Sequence, residues 1–252
     1  MPSPAHTIIQ ISDCHLRKRP DDGPWNCTPD RSLQEVFAAV NLAQPDLIIL
    51  TGDLSDDGST EAYTRLKRLV DATGIEAHYL LGNHDHAERA QNVLGVQCHS
   101  TPTLLRLGDW RLIALNTTVG GHDHGIIDPD DMACIRQMLS APLDHPVAIF
   151  LHHPPVLTGC AWLDEIGLAN KDDFIRSIRG RPELRAVFFG HIHQTFESPD
   201  SSPAMFGCPS TAAQFLPRSD CFALADSQPG WRQIKLHSDG RFSTQVMRLE
   251  KR

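Results

Sequence analysis

Five short apolar runs, each followed at once by side chains that bind metal ions, constrain this chain more than any other feature. The runs are residues 7–11, 46–50, 77–81, 147–151 and 186–189, and their shortness and apolar character read as buried strands. Just beyond them come Asp13 and His15 (in Asp-Cys-His), Asp53 (Gly-Asp), Asn83 (Gly-Asn-His-Asp), His152 (His-His-Pro), and His191 with His193 (Gly-His-Ile-His). In open α/β sheets, ligands bind where strands end. The pattern predicts that five strand ends deliver carboxylates, an amide and imidazoles to one rim, where two metal ions would sit.

The bulk properties narrow the partner. A chain of 252 residues with net charge −8 lacks the basic track that a long nucleic acid requires, whereas a small phosphoester can be neutralised locally by bound ions. No apolar run reaches bilayer-spanning length, so no membrane partner is expected. The seven cysteines form no CxxC pair or dense framework, and residues 1–6 leave no room for a signal peptide before the first strand. A cytoplasmic protein with reduced thiols is the expectation.

Between the strands the sequence alternates with helices. Thr28-Pro29-Asp30 opens one whose apolar face is Leu33, Val36, Phe37 and Val40, and Pro45 stops it. A second runs from about Ser59 with Tyr63, Leu66 and Val70 inward. Residues 103–107 and 111–116, turned at Gly108-Asp109, read as a hairpin. Asp128-Pro129 opens a helix with Met132, Ile135 and Met138 or Leu139 inward, and another spans roughly 170–179. Beyond about 190 the chain becomes β-rich, with short strands at 222–225, 231–237 and 241–249, the last two turned at Ser238-Asp239-Gly240. This predicts one α/β domain over 1–252, with two facing mixed sheets and helices outside.

Two ions held close together stabilise the attacking and leaving oxygens of an in-line displacement. Asp53, at the middle strand end, is the natural bridge. Asp13 and His15, alternating along an extended segment, would share one ion, and His193 would return to it. Asn83, His152 and His191 would take the other. Mixed oxygen and nitrogen donors suit Mn, Fe, Zn or Co better than Ca. The nucleophile expected is a metal-bound hydroxide, and His84 is the candidate proton donor to the leaving alkoxide, oriented by Asp56. Asn83, His84, His124 and His193 are the side chains expected to meet the substrate.

These motifs, in order from residue 13 to 193, resemble those of the calcineurin-like metallophosphoesterase superfamily. The segments 152–164, 190–194 and 209–217 resemble bacterial class III 3′,5′-cyclic AMP phosphodiesterases along essentially the whole chain. The resemblance implies a four-layer α/β/β/α fold and hydrolysis of 3′,5′-cyclic AMP to 5′-AMP. It implies an Fe/Mn-type pair, with Asp13, His15, Asp53 and His193 on one ion and Asp53, Asn83, His152 and His191 on the other. It also implies His84 paired with Asp56, and a homodimer. Other small phosphoesters share the same reacting group: 2′,3′-cyclic nucleotides, glycerophosphodiesters and phosphomonoesters. A scaffold that has lost catalysis, like the superfamily's retromer subunit, should show eroded ligands, and none is eroded here.

Several residues admit two readings. His153 should face away from the ions, since the His-x-Pro pattern selects His152. Gly121-His122-Asp123-His124 is a second Gly-His-x-His, either a solvated loop or a source of substrate contact through His124. Cys14 reads as a buried neutral thiol rather than a ligand. Trp162 either stacks on a nucleobase, joins a dimer contact or is structural, and Arg17, Lys18 and Arg19 read as a solvated loop or as a contact to the phosphate or another subunit.

Overall fold

A computed structural model describes residues 5–140 and 145–251. Its first half runs β1 (Ala5–Ile11), α1 (Pro29–Ala43), β2 (Leu47–Thr51), α2 (Thr60–Asp71), β3 (Ala77–Leu80) and α3 (Ala87–Leu94). There follow the hairpin β4 (Thr103–Leu107) and β5 (Trp110–Ala114), then α4 (Pro129–Met138) and β6 (Val147–Leu151). The short α5 (Ala161–Asp164), α6 (Lys171–Ile178) and β7 (Leu184–Phe189) come next. Only strands occur after that among the described residues. They are β8 (Phe196–Ser198), β9 (Ala204–Gly207), β10 (Gln214–Phe215), β11 (Leu224–Ala225), β12 (Gly230–His237) and β13 (Phe242–Arg248).

Two mixed sheets result, together with a two-stranded antiparallel ribbon of β10 and β11. One has the order β13-β12-β1-β2-β3, with β1, β2 and β3 parallel. The other has the order β4-β5-β6-β7-β9-β8, parallel from β5 through β9. The late strands complete the early sheets, because β12 pairs antiparallel with β1 and β9 lies parallel to β7.

The period-two alternation of each strand sorts its side chains into three apolar layers. Ile8, Ile49 and Leu80 face Leu112, Phe150 and Phe188 between the sheets. Ile9, Ile11, Ile48 and Leu50 point outward against Leu33, Val36 and Val40 of α1 and Tyr63, Leu66 and Val70 of α2. Ile149, Leu151, Val187 and Phe189 do the same against Ile135 of α4 and Phe174 and Ile178 of α6. Helix, sheet, sheet, helix is therefore the layer order, as expected. The helices α3 and α5 were not legible: each is a turn or two long, with too few apolar positions to set a period.

The parallel strands β1, β2, β3, β6 and β7 end on the same side, and their following turns meet. Asp13 N–H donates to the Gly52 carbonyl at 3.0 Å and His15 N–H to that of Asp53 at 2.9 Å. Gly190 N–H donates to the His152 carbonyl at 3.0 Å, which ties the ends of β6 and β7.

Candidate metal centre and the cavity above it

Five of the seven expected ligands have left-handed backbones: Asp13 (φ 55°), His15 (47°), Asp53 (49°), His191 (70°) and His193 (48°). Non-glycine residues rarely adopt this region, and such strain concentrates at functional sites. It also corrects the expectation of an extended Asp13–His15 segment. The two side chains converge because each residue turns the chain, while Cys14 between them is fully buried in the layer beneath α1 and α2. Burial pushes the Cys14 thiol far up, keeping it neutral. The turns also need their glycines. A side chain at Gly82 would strike the Asp53 carboxylate, and one at Gly52 would strike the His152 ring.

Hydrogen bonds fix the tautomers. A carbonyl can only accept, so His193 Nδ1–H donates to Ala213 O at 2.8 Å and His152 Nδ1–H to Thr51 O at 2.7 Å. His15 Nδ1–H likewise donates to the Asp56 carboxylate at 2.9 Å. In the neutral ring each Nε2 is left as a lone pair facing the centre, and those of His15 and His193 stand 3.0 Å apart. His152 Nε2 is 3.2 Å from Asn83 Oδ1, which is itself 3.0 Å from His191 Nδ1. Asp53 Oδ2 lies between the two groups, 3.6 Å from His15 Nε2 and 3.5 Å from His152 Nε2. Asp13, its carboxylate accepting from His191 N–H, stands 3.5 Å from His193 Nε2.

Acceptors turned on one another in a buried space are stable only with positive charge among them. Asp13, His15, Asp53 and His193 offer ligand atoms within 4.8 Å of one another, all buried, and His152, His153 and His191 form a second such group. This donor set fits a pair of divalent metals. The charges respond accordingly. Burial opposes ionisation of His152, but Asp53 and Asp13 outweigh it and lift the imidazole to about 9. Asp53, despite burial, is held well below the carboxylate range by His152, His84 and His15. Burial, reinforced by the charge on His152, drives His191 down to about 3.

The remaining expectations meet mixed outcomes. His84 is exposed at the centre's edge, its N–H on Asp53 Oδ1 at 3.0 Å. Burial opposes its charge, yet Asp53 and Asp56 raise its pKa above the ordinary value. The Asp56 carboxylate, however, is spent on His15 and on Arg17 Nε (2.8 Å), and stands 3.6 Å from His84 Nδ1. His84 Nδ1 is nearer the Asp56 carbonyl, at 3.3 Å. Arg17 is thus a support of the centre rather than a solvated residue. His153 has both ring nitrogens engaged, by Thr117 Oγ1 at 2.7 Å and the Asp123 carbonyl at 3.1 Å.

A cavity of about 370 Å³ opens above the centre, floored by His15, Asp53, Asn83, His84, His191 and His193. Its wall is Trp25, Trp162, Leu163, Ile166, Phe215 and Phe222, with Asp123 at one side. His124 does not line it. The second Gly-His-x-His loop reaches the rim through Asp123, while the His124 ring stands against His122 at 5.0 Å.

Two residues with clear roles escaped the sequence reading. Asp85 accepts from Gly82, Leu54 and Ser55 N–H and from the Tyr63 hydroxyl, clamping the turn after β3 to the turn after β2. Its place as the last residue of Gly-Asn-His-Asp was the available signal. Trp25 left none, being brought to the site by a loop.

Known proteins place this architecture. The chain is 32% identical over 96% of its length to a 3′,5′-cyclic adenosine monophosphate phosphodiesterase of Pseudomonas aeruginosa, covering 90% of that protein. It is also 32% identical over 96% of its length to a 3′,5′-cyclic-nucleotide phosphodiesterase of a Nostoc species, covering 92% of it. In fold it is similar to a dimetal phosphatase of Danio rerio, with a TM-score of 0.69 at 14% identity, covering 97% of this chain and 99% of that one. The family model described as calcineurin-like phosphoesterase matches residues 6–195, a span that contains all seven expected ligands. The chain belongs to the calcineurin-like phosphoesterase family.

Proposed function

We propose that this protein hydrolyses 3′,5′-cyclic AMP to 5′-AMP at a pair of transition-metal ions. The observation that carries the reading is the Asp53 carboxylate set between two inward-facing imidazoles, His15 and His152, at 3.6 and 3.5 Å. Asp53 would bridge the ions, Asp13, His15 and His193 completing one shell and Asn83, His152 and His191 the other. The names of the similar proteins support the choice of substrate.

Bound there, the pair would supply charge to the phosphoryl oxygens and lower the pKa of water near them. The chain's own residues do the rest. His84, whose pKa Asp53 and Asp56 raise against the opposing effect of burial, is the proton donor to the departing sugar oxygen. Asn83 brings a neutral amide to the same edge, and an aromatic wall bounds one side of the cavity. Nitrogen with carboxylate oxygen suits iron with manganese among the candidate metals. The seven free cysteines suit a reducing compartment such as the cytoplasm.

The test is product analysis of 3′,5′-cyclic AMP incubated with Mn-loaded protein, with Asp53→Ala as control. Release of 5′-AMP that disappears in the control supports the reading. Turnover that persists in Asp53→Ala, or no turnover by the wild type, overturns it.

A further inference from the structure

The wall of the cavity is a continuous aromatic surface that begins on a candidate ligand. Phe215 stacks on the His193 ring with centroids 3.9 Å apart and planes 5° apart. Trp25 meets His193 edge-on at 5.5 Å and Phe215 at 5.4 Å, and Trp162 meets Phe215 at 5.1 Å. Phe222 closes the set, 5.3 Å from Phe215, 5.5 Å from Trp162 and 6.2 Å from Trp25, and 48% of it is exposed. Trp25 reaches this position at a cost, since it and Asn26 are both left-handed, at φ 54° and 56°. A bulky residue in that region is a true outlier. The loop holds an unfavourable backbone and leaves an aromatic face on the cavity.

Resting on the cyclic-nucleotide reading above, we infer that Trp25, Trp162, Phe215 and Phe222 form the subsite that receives the nucleobase and selects base-bearing phosphodiesters. A cyclic nucleotide carries a planar base on the sugar fused to its phosphate ring. With the phosphate on the floor at Asp53, Asn83 and His84, the base falls on the adjoining wall. A glycerophosphodiester offers no π-face to cover these rings. Stacking is tolerant of base identity but stronger for larger rings, so purines should be preferred to pyrimidines.

The test compares wild type, Phe222→Ala and Trp25→Leu. The substrates are 3′,5′-cyclic AMP, 3′,5′-cyclic CMP and the base-free 3′,5′-cyclic phosphate of 1-deoxyribose. In parallel, tryptophan fluorescence is titrated with 5′-AMP and with base-free deoxyribose 5-phosphate. Phe222 lies at an exposed rim, so its truncation leaves the packed layers untouched. The wild type should prefer cyclic AMP over the base-free ring, and each variant should reduce that preference about fivefold or more through KM. An unchanged preference, or a change in oligomeric state without one, overturns the subsite. If the wild type turns over no cyclic nucleotide, the functional reading fails by itself and the titration decides the wall. Tighter binding of 5′-AMP than of its base-free counterpart, lost in Phe222→Ala, upholds the subsite, and equal binding sinks it.

Discussion

The Asp56 carboxylate stands 2.9 Å from His15 Nδ1 and 3.6 Å from His84 Nδ1, so it serves the imidazole of the centre before the one at its edge. Arg17 on its other oxygen, at 2.8 Å, keeps it ionised and in place. A carboxylate behind a ligating imidazole fixes the tautomer and raises its basicity, typically contributing 10- to 100-fold to metal affinity. Asp56→Asn should therefore weaken Mn binding by about that factor, measured by competition with a chelating dye. Excess Mn should restore most of the turnover. A loss that persists at saturating metal would instead make Asp56 the partner of His84.

Asp85 offers a different kind of support. Its oxygens take three backbone N–H groups from the turns that carry Asp53 and Asn83, and loss of hydration together with nearby Asp53 raises its pKa to about 6. Asp85→Ala strands those donors and should destabilise the protein by about 2–4 kcal/mol, read from urea denaturation. Tyr63→Phe removes only the hydroxyl that links Asp85 to His86 N–H, and should cost about 1 kcal/mol. Equal effects would show that the clamp resides in Tyr63.

What the sequence made legible follows the range of the physics. Strands such as 147–151 are marked by a short apolar run and the buried face of α1 by local periodicity, and both match the structure. The order of layers follows, because each face must be covered. Local pattern misled at Asp13 and His15, where hydrogen bonds to the turn after β2 hold the backbone left-handed. It was silent on Trp25 and Phe222, which meet only after nearly the whole chain has folded. It was equally silent on Arg232, fully buried, its guanidinium on the Gly207 carbonyl and on Glu197. Nothing in the strand's alternation marks one cation for burial.

The pair His78 and His99 predicts an acid-sensitive fold remote from the centre. The rings stack at 4.9 Å, His99 Nε2 lies 2.9 Å from His78 Nδ1, and His78 Nε2 lies 3.1 Å from Glu76. Burial, then the neighbouring imidazole, lowers His99 from 6.5 to about 4. Between those values the unfolded chain takes up a proton that the folded chain refuses. Stability therefore falls as pH drops from about 6.5 to about 4, by up to about 1.4 kcal/mol per pH unit, and is indifferent to this group above that window. Urea midpoints of wild type and His99→Gln at pH 7.5 and 5 should show a smaller loss in the variant. Identical losses would rule the pair out as the source.

Metal removal separates a working centre from a cluster of histidines that merely share a core. In the absence of an ion, the charge that reconciles the facing acceptors must come from a proton, and His152, lifted to about 9, is the group that holds it. A metal pair replaces that proton and binds only the folded arrangement, so it must add stability by mass action. At a hundredfold excess over Kd the gain is about 2.7 kcal/mol, or a rise in Tm of roughly 5–10 °C for a chain of this size. Chelated protein should melt lower by that amount, recover with Mn, and release protons as the metal enters. Asn83→Ala, which removes the amide shared by His152 and His191, should recover less at the same Mn concentration. A Tm insensitive to Mn in the wild type would mean that these seven side chains hold no ion.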